Sequence, residues 1–317
     1  MRIAIVGAGG VGGYFGGRLA EAGEDVTFLA RGAALSALRS SGLRVDSILG
    51  NFSLPKVAAE ERAEAVGPVD VVLVCVKAWQ VPEVAEGLRP LVGDGTAVVP
   101  LQNGVEAADQ LESALGRSHV VGGLCRILAF QTAPGHIAHA GVQPVIEFAE
   151  LDGTPSPRVE GLRAAFARAR GVMVKVPGNI HTALWKKFAF IAPVGGVGAV
   201  TRAPAGVFRS VPATRRMLEE AIGEVVAVGR AKGVDLPGSV AAETLSFIDS
   251  LPPMATASMH RDLVEGRPSE LEAQTGAVVR LGAAAGASTP VNRFLYAALL
   301  PMELTARGQA APRGFGG

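Results

Sequence analysis

The 317-residue chain carries 30 basic and 29 acidic side chains, which gives it a net charge of +1. This balance argues against a nucleic-acid partner, and no segment approaches the ~20 consecutive apolar residues of a membrane helix. The length suits two domains with sizeable cores. Because the two cysteines, Cys75 and Cys125, lie in apolar strand-like runs, we expect buried reduced thiols and no disulfide or metal site. The apolar run at residues 3–6 is too short for a signal peptide, so we expect a cytoplasmic location.

The first predicted element is a short apolar strand that runs into a glycine-rich turn. Residues 1–12 read MRIAIVGAGGVG, so a G-x-G-x-x-G motif lies between a strand and a helix. In that context the first glycine permits a tight turn, the second lets a pyrophosphate approach the backbone, and the third allows close helix–strand packing. We therefore predict a dinucleotide-binding loop made of Gly7, Gly9, Gly10, Val11 and Gly12.

The second predicted strand, residues 25–31, ends in a basic residue. Its end reads Ala30-Arg31-Gly32, where an NAD-binding chain usually has a carboxylate for the ribose 2′-hydroxyl. A guanidinium at Arg31 can receive a 2′-phosphate through charge-assisted hydrogen bonds. The sequence therefore predicts NADP(H) as the cofactor. The alternative is a glycine-rich turn beside a solvated arginine.

Strands and helices alternate up to residue 176, and only helical segments follow. Further strands are predicted at 70–76, 96–101, 120–130, 145–149 and 172–176, with helices at 81–91 and 158–170. Helices are then predicted at 181–193, 211–232, 239–249, 270–285 and 291–306, before a frayed tail over 310–317. This order predicts an α/β fold. An N-terminal Rossmann-type doubly wound sheet (residues 1–178) precedes an all-helical C-terminal domain (residues 179–317).

Two polar residues end predicted strands, at the sheet edge where doubly wound folds bind their ligands. Lys77 follows strand 70–76, and Asn103 follows strand 96–101. We expect Lys77 to contact the cofactor and Asn103 to contact cofactor and substrate. The alternatives are a solvated lysine at a strand end and a turn-forming asparagine before Gly104.

The helical half supplies candidate acid–base groups. Lys187 lies among apolar residues early in helix 181–193, a setting that would lower the pKa of a lysine toward the range of a proton donor. Ser258 begins the run Ser-Met-His-Arg-Asp, and Glu270 follows Ser269 at the start of helix 270–285. Ser269 is typical of a helix N-cap, and the helix dipole alone could explain Glu270 in the first turn.

Together these motifs resemble the ketopantoate (2-dehydropantoate) reductase family. The resemblance rests on G-x-G-x-x-G, Ala-Arg-Gly, Val-Lys-Ala-Trp-Gln, Gln-Asn-Gly, Trp-x-Lys and Ser-Met-x-x-Asp followed by Ser-Glu-Leu-Glu, in order over nearly the whole chain. It implies NADPH-dependent reduction of a 2-keto acid, as in pantothenate biosynthesis. It also implies that Lys187 is the catalytic general acid, that Glu270 is the catalytic carboxylate, that Ser258 and Asn103 hold substrate, and that Lys77 lies by cofactor and substrate.

Three positions depart from the family pattern. The family places asparagines where this chain has Ile191, Gly195 and Ala255. Because hydrogen-bonding groups set discrimination in such a pocket, we expect a roomier and more apolar substrate pocket, with Ile191 on its wall. Either the substrate differs from ketopantoate, or other polar residues compensate, the candidates being His181, Thr182 and His260.

The function predicted from the sequence is NADPH-dependent reduction of a small 2-keto acid to a 2-hydroxy acid, with 2-dehydropantoate or a close relative as the substrate. A dehydrogenase of the 3-hydroxyacid type is one alternative, disfavoured by the spacing from Ser258 to Glu270. A non-enzymatic NADPH-sensing module is the other, disfavoured by the presence of both Lys187 and Glu270. The apolar helices after residue 211 could form a homodimer face or belong to the core.

Overall fold

The computed structural model describes residues 1–310, and the described chain divides into two compact units. Residues Met1–Gln102 and Glu106–His181 form the first unit, while Asn103–Val105 join the chain from Thr182 onward in the second. The division after residue 181 falls close to the boundary predicted at 178. The predicted frayed tail, apart from residue 310, lies outside the described residues.

All the strands within residues 1–310 belong to the first unit. In chain order they are β1 (Arg2–Val6), β2 (Asp25–Leu29), β3 (Leu43–Ser47), β4 (Phe52–Leu54), β5 (Ala58–Glu60), β6 (Val71–Val74), β7 (Ala97–Pro100), β8 (Val121–Ala133), β9 (His136–Glu150) and β10 (Met173–Lys175). The helices of this unit are α1 (Gly10–Glu21), α2 (Gly32–Ser41), α3 (Val81–Ala85), α4 (Ala107–Leu115) and α5 (Pro157–Arg168). The predicted order of an α/β unit followed by helices is confirmed.

The first sheet is parallel, with strand order β5-β2-β1-β6-β7. Every residue of β6 and β7 is buried, as expected for strands covered on both faces. Because these strands are parallel, the carboxyl ends of β1, β2 and β6 lie along one edge of the sheet. The glycine-rich turn, Arg31 and Lys77 therefore follow strands that end at the same edge.

The remaining strands form a second, mixed sheet that the sequence did not predict. Its order is β10-β9-β3-β4, and β8 pairs with β9 as a long antiparallel hairpin. Segments 120–130 and 145–149 were expected to continue the first sheet, which is wrong. Since β3 and β4 are short, with partly exposed residues between the buried ones, they give too weak an apolar pattern to predict a sheet.

Helix α1 packs against residues of both sheets, and its glycines allow the close approach. An ideal Cβ on Gly16 would lie 2.7 Å from the Ile5 side chain of the first sheet. One on Gly13 would lie 2.6 Å from Ile137 of the second sheet. The helix that opens at the glycine-rich turn is thus fixed from two sides.

The second unit is helical. Its elements are α6 (Ile180–Thr201), α7 (Ala205–Phe208), α8 (Pro212–Ala231), α9 (Val240–Ser250), α10 (Ser258–Val264), a π-helical turn (Glu272–Gly276), α11 (Ala277–Ala284) and α12 (Pro290–Ala306). Helix α6 was expected to end at residue 193, but it continues through Pro193 to Thr201. The predicted helix 270–285 begins instead as the π-helical turn. Helices α7 and α10 are too short to have been predicted.

Helix α6 is also more apolar than was expected for any segment of the chain. Its 22 residues and mean hydropathy of 1.2 make it long and apolar enough to cross a membrane, so the expectation that no segment approaches this limit is wrong. Two thirds of its most apolar window is nevertheless buried, at 67%. Trp185, Phe188 and Ala192 belong to a core cluster with Ile222 and Val225 of α8. This burial is what the core helix of a globular unit shows.

Candidate active site

The glycine-rich turn has the geometry that a dinucleotide loop requires. Gly7 adopts φ +97°, which favours glycine. An ideal Cβ on Gly12 would lie 2.0 Å from the Gly7 carbonyl oxygen, whereas one on Gly9 would meet nothing within 4 Å. Helix α1 then begins at Gly10 without a side-chain cap. An open backbone at Gly9 and the amide-rich start of α1 fit an anionic pyrophosphate.

Arg31 lies where the end of β2 meets the start of α2. It occupies the N-cap position of α2, its side chain makes no capping hydrogen bond, and the first turn contains no acidic residue. Arg31 is exposed. An exposed guanidinium with no carboxylate in the first turn of the same helix can bind a phosphate monoester.

Lys77 follows β6 in the first unit. Its backbone N–H donates to Gln80 Oε1 at 3.1 Å, and its ammonium lies 5.8 Å from the centroid of the Trp79 ring. The side chain is partly exposed. This cation–π contact orients the lysine beside the carboxyl end of the strand, and its contact with a cofactor stays a prediction.

Asn103 and Glu270 are brought together although 167 residues separate them. Asn103 Nδ2 donates to Glu270 Oε2 at 3.0 Å, and Glu270 is 5% exposed. The next residue, Gly104, has φ +114°, and an ideal Cβ there would lie 2.7 Å from the Ala273 carbonyl oxygen. The loop after β7 is therefore fixed against the segment that carries Glu270.

The two adjacent lysines of α6 have opposite environments. Lys187 is buried, at 8% exposure. Lys186 is more exposed, and its ammonium forms an ion pair with Glu243 of α9 at 3.3 Å. Successive helical residues point about 100° apart, which explains how one lysine reaches the interior while its neighbour stays at the surface. Lys187 is thus the buried lysine of the two, and its catalytic role stays a prediction.

Ile191 and Gly195 lie one and two turns after Lys187. Ile191 is partly buried against the core of the second unit. At Gly195 an ideal Cβ would lie 2.7 Å from Met259 Cε and 3.5 Å from Gln274 Oε1. The expectation of extra room is therefore wrong at this position, because neighbouring side chains fill the space. The Met259 methyl group supplies the apolar surface that was expected beside Gly195. The amide oxygen of Gln274 lies beside the same position, so the surroundings of Gly195 are not wholly apolar.

Two of the three polar residues that could compensate form hydrogen bonds elsewhere. His181 Nε2 lies 3.1 Å from the Leu151 carbonyl oxygen, and the Thr182 hydroxyl donates to the Asp235 carbonyl at 2.8 Å. His260 is 6% exposed, and its Nδ1 has no hydrogen-bond partner among the described residues. Burial, together with Arg261, lowers the pKa of His260 and favours the neutral imidazole.

Ser258 is the first residue of α10, whose N-cap is Ala257. Its hydroxyl therefore does not occupy the usual capping position, which would otherwise explain a serine at a helix start. The side chain is partly exposed. Its predicted contact with substrate remains compatible with this placement.

Ser269 fixes the main chain immediately before Glu270. Ser269 Oγ accepts a hydrogen bond from the Leu271 N–H at 3.2 Å. The prediction that Ser269 is the N-cap is nevertheless wrong, because the helical turn begins at Glu272 and its N-cap is Leu271. The other partner of Ser269, Glu303 of α12, was not predicted. Glu303 accepts the Ser269 N–H at 3.0 Å and the Ser269 Oγ–H at 2.5 Å.

Glu303 and Arg307 together hold all the polar groups of Ser269. Glu303 is buried, at 4% exposure. Arg307 Nε donates to Glu303 at 2.5 Å, and its Nη2 donates to the Ser269 carbonyl oxygen at 3.0 Å. We call Ser269, Glu303 and Arg307 the Ser269 clamp. It fixes the backbone that carries Glu270.

The other end of this segment is the π-helical turn Glu272–Gly276. The Gly276 N–H donates to the Leu271 carbonyl at 2.9 Å, and the Tyr296 hydroxyl donates to Glu272 at 2.6 Å. Burial, together with the Glu272 carboxylate, raises the pKa of Tyr296 to about 12. The tyrosine therefore remains a donor at neutral pH. Single π turns occur frequently at functional sites.

The fold and these residues define a class of enzyme with a dinucleotide-binding α/β unit and a helical unit that carries a buried lysine and a carboxylate. Residues 3–153 match the family Ketopantoate reductase PanE/ApbA, and residues 179–303 match Ketopantoate reductase PanE/ApbA C terminal. The chain belongs to the ketopantoate reductase family, a family of oxidoreductases.

Similar proteins span nearly the whole chain. An uncharacterized oxidoreductase, YkpB of Bacillus subtilis, is 32% identical over 96% of this chain and 99% of its own length. A 2-dehydropantoate 2-reductase of Caulobacter vibrioides is 31% identical, with 94% and 97% covered. The crystal structure of 2-dehydropantoate 2-reductase from Geobacter metallireducens GS-15 superposes with a TM-score of 0.88 at 32% identity, covering 95% of this chain and 99% of that one.

The Ser269 clamp predicts a large stability cost for losing its carboxylate. Glu303→Ala removes the buried acceptor of the Ser269 N–H and hydroxyl, together with a carboxylate that Arg307 contacts. Breaking a buried pair in this way costs roughly 3–5 kcal/mol, so we expect a loss of that size in the free energy of unfolding measured by urea denaturation.

Glu219→Ala is the matched control, because Glu219 pairs with Arg215 at the same i,i+4 spacing but in a more exposed position. This variant should lose no more than about 1 kcal/mol. Similar small losses in both variants would show that the Ser269 clamp does not stabilise the unit.

Proposed function

We propose that this protein reduces a 2-oxo acid to the corresponding 2-hydroxy acid with NADPH, and that 2-dehydropantoate is the first substrate to test. The observation that carries the proposal is that one helical unit contains both a buried Lys187 and a buried Glu270 carboxylate that accepts a hydrogen bond from Asn103. A proton donor and a carboxylate with a fixed orientation are what reduction of a carbonyl requires from the protein.

The first unit supports NADP(H) as the cofactor. The open backbone at Gly9 and the start of α1 at Gly10 would hold the pyrophosphate. Arg31 would hold the 2′-phosphate, since its guanidinium is exposed at the start of α2. Lys77 at the end of β6 would lie near the nicotinamide half. When bound, the cofactor supplies the hydride that is transferred to carbon 2 of the oxo acid.

The residues of the second unit would then manage the charge on the substrate oxygen. As carbon 2 accepts the hydride, its carbonyl π bond breaks and negative charge develops on the oxygen. Lys187 stabilises that charge and gives up a proton from Nζ to form the 2-hydroxyl group. Stabilisation of this kind is worth about 10²–10³ in rate for one group.

The other polar residues position the substrate. Asn103, through its hydrogen bond, keeps the Glu270 carboxylate in one orientation, from which it can hold Lys187 or a substrate hydroxyl. Ser258, free of a capping role, would bind the substrate carboxylate, and Ile191 would contact its carbon skeleton. The location proposed for this reaction is the cytoplasm, supported by Cys75 and Cys125, which form no disulfide among the described residues.

The proposed function is tested by following NADPH oxidation at 340 nm with a panel of 2-oxo acids, and with NADH in parallel. The panel includes 2-dehydropantoate, apolar 2-oxo acids and, for comparison, 3-oxo acids. Turnover with at least one 2-oxo acid supports the proposal. Turnover with 3-oxo acids alone would favour a 3-hydroxyacid-type dehydrogenase, and NADPH binding without turnover of any compound would favour a sensing module.

The role of Arg31 is tested by Arg31→Ala. Because a charge-assisted hydrogen bond contributes roughly 1.5–3 kcal/mol, the Kd for NADPH should rise by about 10- to 150-fold. The Kd for NADH should stay within about 3-fold, since NADH has no 2′-phosphate. Titration calorimetry with both cofactors measures the difference.

Arg39→Ala is the control, because Arg39 lies on the same helix but pairs with Glu60 at 2.7 Å. It should leave both Kd values nearly unchanged. Equal weakening of NADPH and NADH binding by Arg31→Ala would refute the assignment of the 2′-phosphate to Arg31.

The role of Lys187 is tested by comparison with its neighbour. Lys187→Ala should lower kcat by at least about 10²-fold while the Kd for NADPH stays within a few-fold, since the lysine acts in the transition state. Lys186→Ala removes a surface lysine with a single ion pair and should have a mild effect. A severe loss from Lys186→Ala and a mild one from Lys187→Ala would contradict the assignment.

A further inference from the structure

The peptide group that joins Val76 to Lys77 is bound at both of its polar atoms by glutamine side chains. The Val76 carbonyl oxygen accepts a hydrogen bond from Gln102 Nε2 at 2.9 Å. The Lys77 N–H donates to Gln80 Oε1 at 3.1 Å. Because the peptide group is planar, hydrogen bonds to its two opposite atoms restrict its rotation. The direction in which the main chain presents Lys77 is therefore fixed by side chains from two other positions.

The two glutamines have opposite roles in this arrangement. Gln102 faces carbonyl oxygens, which only an N–H group can satisfy, and Gln80 faces a backbone N–H, which only an oxygen can satisfy. The partners therefore assign the nitrogen and the oxygen of each amide. It follows that Gln102 must donate and that Gln80 must accept.

Gln102 takes the place of a backbone donor where the chain leaves the first sheet. The Val74 carbonyl of β6 accepts the Leu101 N–H at 3.0 Å, and the alternation of a strand would next bring the Asn103 N–H to the Val76 carbonyl. Gln102 Nε2 instead binds both carbonyls, that of Val74 at 2.8 Å and that of Val76 at 2.9 Å. Asn103 can therefore leave the sheet and join the second unit while the end of β6 stays bound.

Packing alone does not explain a glutamine at this position. The Gln102 side chain is 6% exposed, and its Oε1 has no hydrogen-bond partner among the described residues. A buried acceptor without a partner lowers stability, a cost that an apolar side chain of the same volume would not have. What the amide contributes is its donor, which holds the carboxyl end of β6.

The same end of β6 borders the glycine-rich turn. An ideal Cβ on Gly7 would lie 3.0 Å from the Val76 nitrogen, and the Cys75 N–H donates to the Val6 carbonyl at 2.8 Å. Lys77 follows Val76 directly. A rotation of the peptide between Val76 and Lys77 would therefore move the lysine relative to the turn that would hold the pyrophosphate.

We propose that Gln102 is a positioning residue for cofactor binding, whose amide fixes the peptide before Lys77 and which acts on the cofactor through Lys77. This inference rests on the proposed function, because it takes Lys77 as a cofactor contact. Gln80 completes the arrangement from the other atom of the same peptide. For this role Gln102 itself need not touch the cofactor.

The test is a double-mutant cycle on the Kd for NADPH, measured by titration calorimetry. Gln102→Met keeps the volume and removes the donor. It should raise the Kd by about 5- to 10-fold, the effect of losing one neutral hydrogen bond. In a Lys77→Ala background the same substitution should change the Kd by less than about 2-fold, because its effect passes through the lysine. A loss that came only from a disturbed fold would be equal in both backgrounds.

The opposite roles of the two glutamines supply a rescue experiment. Gln80→Met removes the acceptor and should weaken NADPH binding to a similar extent as Gln102→Met. Gln80→Glu keeps an acceptor at the same position, so its Kd should stay within about 3-fold of the wild-type value. Gln110→Met, the same substitution at a partly exposed position of α4, is the matched control and should leave the Kd unchanged.

Thermal unfolding checks that each variant is folded. If Gln102→Met does not fold, Gln102→Asn replaces it in the cycle, because it keeps an amide but shortens its reach, and it should give the same result.

Three outcomes decide between this inference and the proposed function. Equal weakening by Gln102→Met with and without Lys77, or no weakening in either background, would overturn the role of Gln102 while leaving the proposed function in place. A Kd that Lys77→Ala leaves unchanged would also overturn it, since Gln102 would then have no cofactor contact to position. A wild-type protein that neither binds NADPH nor oxidises it with any 2-oxo acid would instead overturn the proposed function and this inference with it.

Discussion

The hydrogen bonds from Ser269 to Glu303 are the constraint around which the candidate site of the second unit is arranged. Glu270 follows Ser269 directly, so the position of its carboxylate depends on how the Ser269 main chain is held. The N–H, hydroxyl and carbonyl of Ser269 are all bound by Glu303 and Arg307. A buried carboxylate is tolerated here because its neighbours supply donors to both of its oxygens.

Helix α6 packs against α10 through glycines, at positions where a side chain would collide with residues of α10. Met259 packs where a side chain of Gly195 would stand, and His260 Nδ1 lies 2.8 Å from an ideal Cβ on Gly198. The glycines therefore let α10 approach the helix that carries Lys187. The absence of side chains on α6 is compensated by side chains from other elements, which is why the lost amides do not leave an open space.

The parts of the structure that could be predicted depend on short stretches of consecutive residues. The glycine spacing after β1 and the basic end of β2 predicted the geometry found at Gly9 and the placement of Arg31, because each depends on a few consecutive residues. The apolar neighbours of Lys187 predicted its burial for the same reason. The order of an α/β unit and a helical unit followed from strand and helix periodicity.

The remaining parts depend on contacts between distant residues. Glu303 lies 34 residues after Ser269, and no spacing in the sequence links them. The sheet formed by the β8–β9 hairpin requires strands too short to be distinguished from loops.

The proposed function requires that a hydride pass from NADPH to carbon 2 of a 2-oxo acid. The most direct measurement uses NADPH deuterated at both C4 positions and mass spectrometry of the hydroxy acid formed from 2-dehydropantoate. Direct hydride transfer predicts a product one mass unit heavier, with the deuterium on carbon 2. A product without deuterium at carbon 2, or no product from any 2-oxo acid, would contradict it.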